Sequence, residues 1–404
     1  MPLLPAASQR AVMTVALCFA VALLEGFDLQ STGIAAPFMA KALGLNTEQL
    51  GWVFSAGLMG LLPGAFLGGW LADRAGRKPV LLAAVMLFGA FTWFTAHALS
   101  FPSLLLARLL TGLGLGAALP IIIAVASEAA APHWRSTAVS LTYCGVPLGG
   151  ALAAVISLAG VGDDWRLVFQ VGGVAPLAIA AGLLAWLPAG PVAALARHAA
   201  GSSAARLFSE GRGRRTLLLW LACFFTLTVL YMLLNWLPSL LMAQGYSRAD
   251  AGYIQVLFNL GGAAGSFLTG RLMDRNRTAL AVTVAYLGML LSLAGLGLAS
   301  TFVAMAVAGL AAGYCCIGGQ LVLYALAPRL YPADMRGTGT GACVAVGRLG
   351  SMAGPLAAGH VLAAGGGVGG VLLAAAPGLV VAAMATLALA SGRRAPLNAS
   401  LQKI

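Results

Sequence analysis

Four ionisable residues fall inside long apolar runs: Glu25 and Asp28 in the first run, Arg108 in Arg108-Leu109-Leu110-Thr111-Gly112, and Arg348 in Gly347-Arg348-Leu349-Gly350. In hydrocarbon each such charge costs on the order of 3 kcal/mol, so each is a candidate for function. Two carboxyls and two guanidinium groups cancel in formal charge. A carboxyl can take up and release a proton, and a planar guanidinium can grip a carboxylate ligand through two parallel hydrogen bonds. At 1.5 Å per residue, Asp28 and Arg108 both lie about 10 Å below one membrane surface, with Glu25 and Arg348 nearer the midplane. At that shared depth Asp28 and Arg108 can pair, and protonating Asp28 would then free Arg108. The alternative is a structural pair that offsets the burial of both charges. Arg348 is the candidate anchor for a ligand carboxylate, its alternative being a salt bridge to Glu25. If the ligand displaces Glu25 and leaves it to take a proton, one proton and one monoanion enter together without net charge. The proton is then the coupling ion, and no other cofactor is expected.

Polar and aromatic residues of the second half could complete a pocket for an aromatic acid: Tyr231, Asn235, Trp236, Asn259, Gln320 and Tyr324. Aromatic faces stack on a ring and amides bind a hydroxyl, although each residue alone equally suits a helix-helix contact or an interfacial position. No paired catalytic carboxylates, metal-ligand set or nucleophile motif occurs, so neither an enzyme nor a metal site is expected. The six cysteines, Cys18, Cys144, Cys223, Cys315, Cys316 and Cys343, all lie in apolar stretches and read as small packing residues. His97 and His360 fall near the ends of apolar runs, and His133 and His198 fall in loops. All four are expected to be solvated.

The elements that must position these residues follow from composition. Of 404 residues 60% are hydrophobic and only 8% charged, and the mean hydropathy is +0.94. That excludes a soluble protein and predicts an all-α membrane protein whose 53 glycines allow close helix packing. Twelve apolar runs are long enough to cross the bilayer: 11–35, 49–72, 79–99, 102–127, 136–160, 166–188, 215–242, 249–273, 278–299, 302–328, 337–363 and 368–391. The net charge of +12 marks topology rather than a nucleic-acid partner. With both termini cytoplasmic, the basic residues concentrate in the inner loops, as the positive-inside rule requires. Arg10 and the following apolar run resemble a signal peptide, but no small-residue cleavage site precedes Glu25, so the run is expected to remain as the first helix.

The segment 189–214, rich in Ala, Gly, Ser and Arg, divides the runs into two sets of six, giving bundles at 1–188 and 215–404 joined by a cytoplasmic linker. Gly69, Leu71, Asp73, Arg74, Arg135 and Thr137 recur as Gly270, Leu272, Asp274, Arg275, Arg336 and Thr338, always 201 residues on. Two parallel six-helix repeats are what a rocking transporter needs, with a site between them that faces each side in turn.

The loop Gly69-Trp70-Leu71-Ala72-Asp73-Arg74-Ala75-Gly76-Arg77-Lys78 resembles the signature loop of the major facilitator superfamily, with a worn copy at Gly270-Arg271-Leu272-Met273-Asp274-Arg275. The resemblance implies the major facilitator fold of twelve transmembrane helices in two six-helix bundles. It also implies a cytoplasmic latch built from Gly69, Asp73, Arg74, Gly76 and Arg77 with Glu128, Arg135, Asp274 and Arg336. Here Gly69 would permit close helix approach and Gly76 a tight turn. The run Glu25-Gly26-Phe27-Asp28-Leu29-Gln30 is similar to the first-helix acidic motif of the aromatic acid:proton symporter family, with Glu25 where many members have Asp. Gly51-Trp52-Val53-Phe54-Ser55, Ser140-Leu141-Thr142-Tyr143-Cys144 and Tyr231-Met232-Leu233-Leu234-Asn235-Trp236 resemble its 3-(3-hydroxyphenyl)propionate subgroup. That resemblance implies proton-coupled uptake of a small aromatic carboxylate across a bacterial inner membrane. It also links Arg108 to proton coupling, which makes Asp28 with Arg108 the first candidate proton-sensitive pair. An exporter of drugs or metabolites on the same fold is the alternative, and a non-transporting receptor is a third. One chain carries the whole twelve-helix unit, so a monomer suffices.

Overall fold

The computed structural model describes residues 6–131, 134–158, 164–187, 207–209, 212–275, 277–332 and 335–391. Most of the linker expected at 189–214 lies outside the described residues, as do His133, His198, Arg197, Arg206, Arg393, Arg394 and Lys403. Twelve long helices follow in chain order. The first six are α1 (Ala6–Leu43), α2 (Thr47–Ala75), α3 (Arg77–Ala96), α4 (Phe101–Ala129), α5 (Arg135–Leu158) and α6 (Arg166–Trp186). The second six are α7 (Gly213–Ala243), α8 (Arg248–Asp274), α9 (Thr278–Leu298), α10 (Phe302–Leu326), α11 (Arg336–Ala363) and α12 (Gly367–Ser391). Ten of them are long and apolar enough to cross a membrane by composition alone. The other two, α8 and α11, have the length but carry Gln255, Asn259 and Arg348, whose side chains bond to residues of other helices.

Helix starts at one end of the molecule are set by local side chains. Asn46, Ser100 and Ser247 each accept a hydrogen bond from a backbone N–H of the first turn of α2, α4 and α8, and the third residue of each turn returns a bond. At the other end, where the basic residues gather, Gly76 takes φ +90° to end α2 and start α3 within one residue. The tight turn expected of Gly76 is present.

Backbone approach inside each bundle depends on glycine, and the 201-residue repeat reappears in it. In α2 and α4, a Cβ on Gly60, Gly64 or Gly112 would run into the carbonyls of Leu109, Leu113 and Gly57. In α8 and α10, a Cβ on Gly261, Gly265 or Gly313 would meet those of Leu310, Tyr314 and Phe258, each 201 residues on from its counterpart. Gly149 against Leu23 and Gly350 against Phe224 repeat the relation for α5 on α1 and α11 on α7. The conflicting atoms are backbone, so no rotamer change relieves them. Gly112→Val is therefore expected to destabilise the protein by about 1–3 kcal/mol, read as a lower thermal unfolding midpoint in detergent.

The bundles meet through α2 with α11, α5 with α8, and α1 with α7. Ser55 donates to the Met352 carbonyl at 2.8 Å, Arg248 donates to the Ser157 carbonyl and Oγ at 3.2 Å, and Phe54 meets Trp236 edge-on at 5.1 Å. His360 lies 3.7 Å from Glu48. These contacts belong to the halves of the helices remote from the basic end. Toward the basic end Gly69 and Gly341 face open space, and Tyr143, Tyr324 and Arg348 are partly exposed. The cleft between the bundles thus opens at the basic end and is shut at the other.

Candidate functional site

Asp28, on the first helix, is fully buried and receives three hydrogen bonds. Arg108 of α4 donates from Nη1 to Oδ1 at 3.2 Å and from Nη2 to Oδ2 at 2.9 Å, and Thr92 of α3 donates to Oδ1 at 2.6 Å. The fork-to-carboxylate geometry matches charge to charge where no water compensates. The ring of Phe169 covers the guanidinium at 5.8 Å. Thr92 gave no signal in the sequence, because one threonine in an apolar helix is unremarkable until its neighbour is known.

One turn toward the basic end, Glu25 is buried, and its Oε2 has no hydrogen-bond partner. The possible Glu25–Arg348 salt bridge does not form, although the two groups lie within electrostatic reach. Arg348 instead donates from Nη1 to the Tyr231 hydroxyl at 2.9 Å, with the Tyr231 ring 6.0 Å from its guanidinium carbon. Gln320 donates to the Tyr324 hydroxyl at 3.2 Å. Tyr143 of α5, not singled out from the sequence, joins Glu25, Tyr231, Tyr324 and Arg348 in one electrostatically connected group. Two bundles thus contribute a carboxyl, a guanidinium and three phenols around the closed end of the cleft.

Three of the six expected pocket residues bond within the shut seam in this conformation. Asn235 donates to the Tyr231 carbonyl at 2.8 Å within its own helix, and Trp236 donates from Nε1 to the Pro355 carbonyl at 3.0 Å while packing on Phe54. Both are buried in the shut seam rather than on the open cleft. Asn259 bonds across the seam to Gln30, a residue of the first-helix acidic motif whose own type suggests no role. Gln255, one turn from Asn259, joins it and was missed. The signal was a pair of amides four residues apart on one face of α8.

Comparison with known proteins decides the family. A profile described as the Major Facilitator Superfamily matches residues 18–322 and 247–403. The chain belongs to that superfamily. It is 52% identical over 386 residues to the 3-(3-hydroxy-phenyl)propionate transporter of Escherichia coli (strain K12), covering 96% of each chain. It is 37% identical to a gallate transporter of Pseudomonas putida, over 94% of this chain and 91% of that one. Among solved structures a D-xylose-proton symporter superposes with TM-score 0.75 at 17% identity, over 94% and 97% of the two chains, which shows the same fold. The relatives and the fold are those of a multi-pass membrane transporter, not an enzyme.

The superfamily's signature loop departs in part from its expected role. Gly69 makes no close approach, because the cleft is open beside it; Gly60, Gly64 and Gly68 bring α2 against α4 instead. Glu128 forms a salt bridge with Arg77 of the same bundle, joining two of the residues expected in the latch. Arg74 lies over the Trp70 ring at 3.9 Å, and Lys78 caps α6 by donating to the Leu184 and Leu187 carbonyls at 2.8 and 2.6 Å. Asp73, Arg135 and Asp274 are exposed, and the side chain of Arg336 lies outside the described residues. A latch that holds this end shut has no contacts to make while this end is open. The cysteine expectation also needs correction: Cys223 of α7 and Cys343 of α11 form a disulfide with Cα atoms 6.4 Å apart, and Cys18, Cys144, Cys315 and Cys316 are free.

Proposed function

We propose that this transporter imports a small aromatic carboxylate, 3-(3-hydroxyphenyl)propionate or a close analogue, together with a proton across a bacterial inner membrane. The observation that carries the reading is the Arg348 guanidinium, held by Tyr231 at the closed end of the cleft and opposed by a buried carboxyl, Glu25, with an unpartnered oxygen. The aromatic-acid transporters that align along nearly the whole chain support the substrate class.

With the basic end in the cytoplasm, as the positive-inside rule directs, both termini are cytoplasmic and this conformation is open to the inside. The mechanism then follows from charge balance in a low-dielectric site. In the outward-open state Arg348 binds the incoming carboxylate through paired hydrogen bonds, and Glu25, displaced as counter-charge, takes a proton. The loaded site is neutral, so closing the bundles around it buries no unpaired charge. Opening inward leaves Arg348 partly exposed to water, which solvates the departing anion, and Glu25, still buried beside it, gives up its proton once the guanidinium is left without a counter-charge. Asp28 and Arg108 form a second proton-sensitive group, since a proton on Asp28 weakens both bonds to Arg108 and loosens α1 from α4. Tyr143 and Tyr324 offer ring faces to the substrate, with Gln320 holding the Tyr324 hydroxyl. A single chain carries both bundles, so a monomer performs the cycle.

The test is uptake of labelled 3-(3-hydroxyphenyl)propionate into proteoliposomes with and without an inward proton gradient, in competition with benzoate, protocatechuate and a cationic dye. Accumulation that requires the gradient and is blocked by the acids is expected. Export of the dye without acid uptake would overturn the reading in favour of an exporter, a role for which a cavity arginine is ill suited.

A further inference from the structure

Gln30, Gln255 and Asn259, all buried, form an amide cluster between α1 and α8. Gln30 Nε2 donates to Asn259 Oδ1, and Gln30 Oε1 accepts from both Asn259 Nδ2 and Gln255 Nε2, each at 2.7 Å. Asn259 Nδ2 also donates to the Gln255 carbonyl at 2.9 Å. Donor arithmetic fixes the orientation. Because Asn259 must turn its NH2 to the Gln255 backbone carbonyl, the Gln30 atom that meets the same NH2 is the amide oxygen, and Gln255, facing that oxygen, must present its own NH2. Gln255 Oε1 is consequently turned away, and it is buried with no hydrogen-bond partner. Buried polar atoms are almost always paired, so this acceptor calls for a donor that the protein does not supply.

The cluster stands beside the group around Arg348. Gly33 of α1 abuts the Asn235 backbone of α7. Both helices run in the same direction, and one turn toward the basic end from that contact lie Gln30 on α1 and Tyr231 on α7. The amide cluster and the hydroxyl that holds Arg348 are therefore level, and Glu25 lies about one turn further along α1. Gly150 of α5 provides the space, since a Cβ there would overlap the Gln30 amide.

We propose that Gln255 Oε1 accepts the hydrogen bond of a hydroxyl on the substrate ring, making Gln255 a specificity-determining residue at the end of the site opposite the carboxylate anchor. This rests on the proposed function and adds the ring substituent that is read. The donor must be neutral and small. A carboxylate has no proton to give, and an ammonium group would bring an uncompensated charge into a buried site. A phenolic hydroxyl meets both conditions. Gln255 is closed over in this conformation, so the hydroxyl reaches it when α1 and α8 part on the outward side of the cycle.

Isothermal titration calorimetry on the full-length protein in nanodiscs tests the proposal with 3-(3-hydroxyphenyl)propionate, 3-phenylpropionate, and the 3-methoxyphenyl analogue, which keeps the oxygen and loses the donor. The wild-type protein is expected to bind the hydroxyl acid about tenfold more tightly than either of the others, and Gln255→Met to bring these ratios close to one. A Gln255→Met protein whose three Kd values shift by a common factor would show that the cluster only clasps the bundles, and would overturn the proposal. Equal Kd values for the three acids in the wild type would overturn it whether or not the variant folds. Absence of binding by all three would overturn the proposed function beneath it as well.

Discussion

Arg348→Ala is expected to weaken binding of 3-(3-hydroxyphenyl)propionate by about two orders of magnitude, with the thermal unfolding midpoint little changed. Truncating one partner of a buried charge pair costs about 2–5 kcal/mol, and a carboxylate brought to this site without the guanidinium has only phenols and an acidic neighbour to meet. The small effect on folding follows from the structure: Arg348 has no carboxylate partner among the described residues, and its hydrogen bond is to the neutral Tyr231 hydroxyl. Arg348→Lys keeps the charge and loses the planar fork, so it should recover only part of the affinity. Tyr231→Phe, which removes the hydroxyl and keeps the ring, should lie between Arg348→Lys and the wild type. Equilibrium binding in detergent checks the series, and wild-type affinity in Arg348→Ala would remove this residue as the anchor.

The second large effect concerns stability. Arg108→Ala leaves the Asp28 carboxylate buried with Thr92 as its one remaining donor, and breaking a buried ion pair from one side costs about 3–5 kcal/mol. Thermal unfolding should show a loss of that order. Asp28→Asn combined with Arg108→Gln removes both charges at similar volume and should regain most of the stability. The double variant should still exchange substrate across the membrane down its gradient, yet accumulate it only slowly under an imposed pH gradient, because Glu25 still carries the coupled proton while the pair no longer makes the conformational change responsive to pH. Full proton-driven accumulation by the double variant would reduce the pair to a structural role. Equal stability of the single and double variants would show that the burial cost had been misjudged.

These expectations show which parts of the molecule are legible from sequence. A charge in an apolar run is visible without any structure because the cost of burying it is intrinsic to the residue. The shared depth of Asp28 and Arg108 is readable from the sequence, and the structure bonds the two at that level, whereas their link to proton coupling comes from the family resemblance. The internal repeat was equally legible: residues 201 apart in the loops announced a relation that glycine contacts such as Gly60 on Leu109 and Gly261 on Leu310 repeat inside the bundles. Polar neutral residues were harder. Gln30, Thr92, Tyr143 and Gln255 matter through partners on other helices, and which face a long apolar helix turns inward cannot be counted from its own residues when it is apolar all round. Trp236 and Asn235 were assigned to the pocket for their chemistry, while their height on α7 places them in the seam. Gly69 and Glu128 belong to a latch expected to close the basic end, which is open in this conformation. A sequence specifies both ends of a rocking cycle, and a structure shows one of them.

The central claim is that one proton accompanies each carboxylate and that Glu25 carries it. The most direct test is substrate-triggered proton entry into proteoliposomes holding an internal pH dye, at zero initial gradient, for the wild type and Glu25→Gln. The account predicts internal acidification on adding 3-(3-hydroxyphenyl)propionate to the wild type. It predicts none in Glu25→Gln, which should still bind and exchange the acid because glutamine is neutral like the protonated side chain. Acidification of equal size in Glu25→Gln, or substrate entry into wild-type vesicles without acidification, would contradict it.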